Sequence, residues 1–317
     1  MMKNKHTQLI KIIGNIATVV SLLFIIRRFW KYRDELSSIF DLRTTSCFFG
    51  VSICLSVVVC INAFVFMQIL IVISKRKIQY SLVLSIYVKS NIYKYLPGNI
   101  MHVVGRNQIA VDTGLSHAKV VLASMIEIFL SLIAACILSL FFLNRILPVY
   151  IDILPKVRLL FLFFMIATVI GFFIFFYFRK RIKDYLLAMN ILCDRKTLIN
   201  IILAIVYYLT TQIISGLAYL GMIILMGFEV DLDYYYIIVG VYVFSWVAGM
   251  VTPGSPGGLG IREVMLSITL GGILKPELVA TSVIVNRFNT IVGDILAIPI
   301  AGIICRIIGF LDKERST

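Results

Sequence analysis

Apolar residues fill most of this chain in long blocks separated by short polar stretches. Unbroken runs lie at roughly residues 9–26, 46–74, 117–143, 157–178, 198–226, 234–252 and 278–305. Each is near the ~20 residues that a helix needs to cross a bilayer. Apolar and polar positions do not alternate within the runs, which argues for helices rather than a transmembrane barrel. Two further segments, about 78–104 and 255–275, are partly apolar and broken by Pro and Gly, and read as short or re-entrant helices. The pattern predicts an all-α, polytopic transmembrane helix bundle of about seven to nine spans. It forms a single integral membrane domain over residues 1–317, with no soluble domain. The first residues, basic and then apolar, look like a signal peptide. No A-x-A site follows and the run ends on Arg27 and Arg28, so they read as a retained first helix.

The two broken segments carry the most distinctive residues. In Val251–Leu274, Pro253-Gly254 and Pro256-Gly257-Gly258-x-Gly260 lead directly to Arg262 and Glu263. Irregular backbone at membrane depth is tolerated only where protein buries it or where it lines a wet cavity, so this loop is expected to form part of a cavity wall. Pro97-Gly98 precedes Arg106 by nine residues, and Pro253-Gly254 precedes Arg262 by the same nine. This is a weak internal repeat, about 46–143 and 198–305. Paired interrupted segments in two halves of a chain point to a transporter's binding site. The alternative is coincidence, since Pro-Gly is a common turn. Four clear spans separate the copies, which favours same-way orientation if neither loop crosses. Basic loops mark the cytoplasmic side. Lys75, Arg76 and Lys77, and the cluster from Arg179 to Lys196, are expected there; the acidic loop with Glu229, Asp231 and Asp233 is expected outside.

Three apolar runs carry a polar stripe on one helical face. Ser124, Glu127 and Ser131 form one, and Tyr208, Thr211, Gln212 and Ser215 another. Arg287, Thr290 and Asp294 form the third, with Asn286 and Asn289 beside it. A charge at the bilayer centre costs about 2.5–3.5 kcal/mol on insertion scales and faces the bundle interior. The stripes are therefore expected to face one another, with Glu127 and Arg287 close enough to interact. The alternative is that they only hold helices together. Arg106 and Arg262 each follow a Pro-Gly turn. A glycine-rich loop entering a helix offers free backbone N–H groups, and a guanidinium beside them suits a phosphate; the alternative is an interfacial, snorkelling arginine. Glu263 reads as orienting Arg262 or capping its helix. Lys89, Lys94 and Tyr95 read as parts of an interfacial helix.

Composition supports a membrane chain: 60% of residues are hydrophobic and 15% charged, and mean hydropathy is +0.99. The net charge of +14 fits basic loops against anionic lipid rather than nucleic acid. The six cysteines lie mostly within apolar runs, form no C-x-x-C pair, and read as reduced. There is no P-loop, no H-E-x-x-H and no G-x-G-x-x-G, so no cofactor or metal is expected.

The stretch Pro253–Glu263 resembles the signature of flippase-like membrane proteins related to the transmembrane region of lysylphosphatidylglycerol synthase. Tyr95-Leu96-Pro97-Gly98 ending in Gly105-Arg106 is similar to the first-half motif of that family, and Glu127 and Arg287 match an acidic and a basic position. The family often has Glu-Arg where this chain has Glu127-Ile128. The resemblance runs over about residues 9–305. It implies a lipid translocator of a bacterial-type cell (inner) membrane, without the aminoacyl-transferring domain of the two-domain members. Partners would be a membrane lipid or lipid-linked glycan, and envelope or glycan-assembly enzymes. The substrate-binding candidates are Arg106, Arg262, Arg287, Glu127 and Glu263, with Pro97, Gly98, Pro253, Gly254, Gly257, Gly258 and Gly260 of the two turns. Thr211, Gln212, Asn286 and Asp294 would line a polar cavity, and Glu127 is the candidate proton carrier. Two rival readings stand beside transport: a membrane enzyme acting on a lipid-linked sugar with Glu127 or Glu263 as base, and a non-catalytic scaffold for glycan assembly.

Overall fold

The computed structural model describes residues 42–96, 101–111, 113–151, 195–227, 229–252 and 256–314. The expected spans at 9–26 and 157–178, and the residues Pro97, Gly98, Pro253 and Gly254, lie outside the described residues. Every regular element among the described residues is helical. The order is α1 (Leu42–Ser74), α2 (Tyr80–Asn91), a 3-10 turn (Ile92–Tyr95), α3 (Met101–Val111) and α4 (His117–Ile151), then α5 (Arg195–Leu225), α6 (Tyr235–Val251), a 3-10 turn (Pro256–Gly258), α7 (Ile261–Leu270) and α8 (Pro276–Glu314). A short 3-10 turn (Leu232–Tyr234) leads into α6. Five stretches are long and apolar enough to cross a membrane, one each in α1, α4, α5 and α8, and one made by α6 with the turn before it. In such a setting only helices can satisfy their backbone groups within one segment.

Both halves thus run long helix, short helix, tight turn, short helix, long helix. In each, the short pair leaves from and returns to one end of the long pair. Lys119 at the start of α4 reaches the carbonyl of Ser74 at the end of α1 (3.4 Å), so α2 and α3 form a hairpin. Tyr219, late in α5, bonds Ser282, early in α8 (3.0 Å), which closes α6 and α7 into a second hairpin. The run at 234–252, apolar enough to count as a crossing, is the first arm of that hairpin. Its apolarity serves the protein interior: 67% of its window is buried, against 28% for α5 and for α8.

The two hairpins enter from opposite ends. Ser52 Oγ donates to Asn289 Oδ1 (3.0 Å), and Ser56 Oγ donates to the Gly293 carbonyl (2.7 Å), at the same separation of 237 residues. A constant offset means that α1 and α8 run parallel. Cys305, near the end of α8, lies at the Ser81 carbonyl, where α2 begins (3.4 Å). The end of α1, from which the first hairpin starts, is therefore far from the start of α8, where the second one finishes. This corrects the same-way orientation expected from counting spans.

Small residues let α1 and α8 approach closely: a Cβ on Gly293 would lie 3.0 Å from both Leu55 Cβ and the Ser52 carbonyl oxygen. Apolar packing divides into two cores, one around each hairpin. The first hairpin packs with the end of α1, the starts of α4 and α5, and the end of α8, through residues such as Phe66, Leu84, Ala123, Ala204 and Ala301. The second packs with the opposite ends of the same helices, through Leu55, Leu138, Ile223, Phe244 and Leu278. Away from the interior, α5 presents Leu198, Ile202, Val206 and Leu217 outward, an apolar face suited to lipid. The described cysteines Cys47, Cys54, Cys60, Cys136 and Cys305 are free.

Candidate functional site

A cavity of about 220 Å³ lies where the hairpin tips meet, between the two cores. The three polar stripes face it: Glu127 and Ser131 from α4, Tyr208, Thr211, Gln212 and Ser215 from α5, and Arg287, Thr290 and Asp294 from α8. Arg106 and Arg262 reach it from α3 and α7, and Gly257 and Gly258 from the second turn. Asn286, buried beside the stripe on α8, is not part of the lining. Asn289 turns the other way, to Ser52 and Met222.

Arg106 is fully engaged. It is 2% exposed and forms an ion pair with Glu127. It also donates to Ser90 and Ser124 (3.4 Å each). Its guanidinium lies over the rings of both Tyr87 (4.1 Å) and Phe66 (4.4 Å). Tyr87 donates its hydroxyl to the other Glu127 oxygen. The expected contact of Glu127 with Arg287 is therefore not made, because α3 brings a nearer guanidinium to the carboxylate.

Arg287 belongs to the second hairpin. Its Nη1 donates to the Gly257 carbonyl (3.2 Å) and its Nε faces Glu263 (3.3 Å). Glu263 in turn accepts the Gly260 backbone N–H (2.6 Å) and caps α7. So the carboxylate of Glu263 already takes one of the N–H groups expected to be free for phosphate, at Gly260, and of its two expected roles it performs the capping one. The glycine run has a local cause: Gly257, Gly258 and Gly260 all have positive φ (+55°, +74°, +85°), where a side chain would be strained.

Asp294 ties α8 to the tip of the first hairpin. It accepts from Asn91 (2.7 Å) and from the Tyr95 hydroxyl, and pairs with Lys94 (2.7 Å). Lys94 and Tyr95, expected in an interfacial helix, instead border the cavity, while Lys89 is exposed. Tyr87, Asn91 and Tyr95 recur at four-residue intervals, a helical stripe that was legible in the sequence. The two tips touch: a Cβ on Gly257 would meet the Lys94 carbonyl oxygen at 3.4 Å and the Tyr95 ring at 3.6 Å.

Arg262 differs from all of these. It is 8% exposed, lies over the Tyr242 ring (5.3 Å), and its Nε and Nη2 make no hydrogen bond among the described residues. Its stem passes through a slot left by two glycines: a Cβ on Gly249 would sit 2.6 Å from its Cγ, and one on Gly258 2.9 Å from its Cδ. Tyr242 and Gly249 gave no sign in the sequence, since tyrosine and glycine are ordinary in an apolar helix. Around the same space, the Tyr208 hydroxyl, His102 Nδ1 and Asn62 Oδ1 also lack a hydrogen-bond partner among the described residues. A buried polar group without a partner costs free energy, so this lining is built for water or a polar ligand. Among the described residues no cluster of His, Cys, Asp or Glu is arranged to hold a metal ion. Comparison of the chain with models of protein families, with curated proteins and with solved structures finds no match.

Proposed function

We propose that this chain moves an anionic membrane lipid, a phospholipid or a lipid-linked glycan precursor, between leaflets by admitting its headgroup to the central cavity. The observation that carries the reading is the buried guanidinium of Arg262 in the cavity wall, with two donors that find no hydrogen-bond partner and no carboxylate paired with it among the described residues. A charge so placed within an apolar bundle is costly unless it meets an opposite charge, which makes it a functional candidate. Hairpins that approach from opposite ends and meet at their tips supply two barriers around one site, the plan by which alternating access works. In this reading both hairpins are re-entrant, and the cavity lies near the membrane mid-plane.

The roles follow from the contacts. Arg262 receives the anion. Arg287 and Asp294 hold the two tips to α8, and opening either side requires one of these ties to release. Arg106 and Glu127 form a fixed internal pair, so neither the phosphate role expected of Arg106 nor the proton role expected of Glu127 is carried forward. The carboxylates that an enzyme would need as bases are committed, Glu127 to Arg106 and Tyr87 and Glu263 to Gly260 and Arg287, which favours transport over chemistry. The resemblance to flippase-like proteins points the same way. Transport is downhill or coupled to an ion gradient. In liposomes, the purified protein is expected to move a labelled anionic lipid across the bilayer, and Arg262→Ala to abolish the movement while leaving the protein folded. Absence of movement under every imposed gradient, or full activity in Arg262→Ala, would sink the proposal.

A further inference from the structure

Among the described residues four cations and two carboxylates line the cavity, and a third carboxylate, Glu263, stands beside Arg287. Arg106 is matched by Glu127, Lys94 by Asp294 and Arg287 by Glu263. Arg262 is left over. From this count we infer that the cavity accepts a group carrying one negative charge shared between two oxygens, and that Arg262 sets this limit. The inference rests on the reading that the cavity takes an anion, and adds which anion.

Two features lead there. The first is charge. One negative charge brings the cavity to neutrality. A second would have no counter-charge unless Lys94 or Arg287 left its own carboxylate, and that exchange would strand Asp294 or Glu263 in an apolar surround, where an unpaired charge is costly. The second is shape. Nε and Nη2, the two donors without a partner, lie on one edge of the planar guanidinium, an edge shaped to meet two oxygens of one group side by side. Tyr242 beneath the plane and the Gly249–Gly258 slot along the stem hold that edge in place. Carboxylates and phosphodiesters have one charge over two oxygens. Phosphomonoesters and diphosphates carry more charge and are disfavoured.

Trp246 lines the cavity and reports on its contents; the chain has one other tryptophan, Trp30, removed for the assay as Trp30→Phe. The protein in detergent is titrated at about pH 8, where a phosphomonoester carries close to two charges. The probes are hexanoate, dihexanoyl phosphatidylglycerol and dihexanoyl phosphatidic acid. The phosphodiester lipid is expected to bind at least about tenfold more tightly than the phosphomonoester with the same chains. Hexanoate and the diester together report whether the preferred group is a carboxylate or a phosphodiester, and preference for either one supports the inference. Arg262→Lys, which keeps the charge but not the fork, is expected to bind more weakly in the same order, and Arg262→Gln to lose the order. Equal or tighter binding of the phosphomonoester overturns the charge limit alone. So does an unchanged order in Arg262→Gln. Failure of all three probes to alter Trp246 fluorescence removes the anion reading beneath it as well.

Discussion

Arg106 and Arg262 occupy corresponding places in the two hairpins. Each follows a Pro-Gly pair by nine residues, each lies over a tyrosine, Tyr87 or Tyr242, and each is at least nine-tenths buried at the same cavity. Their surroundings differ by one carboxylate. Glu127 on α4 meets Arg106; at the same distance from the start of α8 stands Asn286, followed by Arg287. One half therefore closes its charge internally, while the other leaves a guanidinium without a paired carboxylate among the described residues, where we propose that the anion binds. The same Pro-Gly to Arg spacing can lead to different surroundings when the partner comes from another helix.

The comparison yields predictions of decreasing size. The largest is all-or-none. Arg76→Cys beside the first hairpin and Asp231→Cys beside the second, each in a cysteine-free background, are expected to react with an impermeant thiol reagent from opposite faces of the membrane. Labelling of both from one face would mean that the hairpins share a side. Next, Glu127→Ala strands a buried guanidinium and should cost about 3–5 kcal/mol of stability. The double replacement Arg106→Leu with Glu127→Leu should recover most of it, because removing both members of a buried pair is often neutral. Arg262→Leu should cost little, since no pair is broken. Unfolding in detergent measures all three, and equal losses in Glu127→Ala and Arg262→Leu would erase the distinction.

A smaller effect is expected at Gly249→Ala. The added carbon would meet the Arg262 stem and the Gly258 backbone, at about 1–3 kcal/mol for overpacking. Anion binding should fall with it, because the guanidinium can no longer reach its place. The finest test is the difference within the tyrosine pair, whose smaller member is the smallest effect expected. Tyr87→Phe removes a hydrogen bond to a charged acceptor, worth about 1.5–3 kcal/mol. Tyr242→Phe keeps the ring under Arg262 and should stay within about 0.5 kcal/mol of the parent. A larger loss at Tyr242 than at Tyr87 would reverse the assignment of scaffold and site.

Some of this was legible in the chain. The helices had to form wherever apolar runs were long, because lipid leaves no other way to satisfy the backbone. Their polar faces had to turn inward, so Glu127, Gln212 and Asp294 could be assigned to one interior from their spacing alone. The turn at Pro256–Gly258 followed from its glycines. The pairing of charges did not follow. Glu127 had two possible guanidinium partners, Arg106 and Arg287, and spacing along a helix says nothing about which neighbour stands nearer. Tyr95 and Lys94 were misplaced because a basic residue beside an aromatic one is also the mark of a membrane interface.

Direction was the other gap. A helix that is apolar all round, such as α6, looks the same in sequence whether lipid or protein surrounds it, so counting crossings could not fix direction. The contacts of α1 with α8, at one constant offset, settle that the hairpins oppose each other. By itself, then, the order of residues determined the described helices and their inward faces, because these depend on local periodicity and on the demands of the solvent. Only the folded arrangement decided which arginine is neutralised and which remains open. Electrostatic pairing depends on distances between helices, and no single helix contains that information.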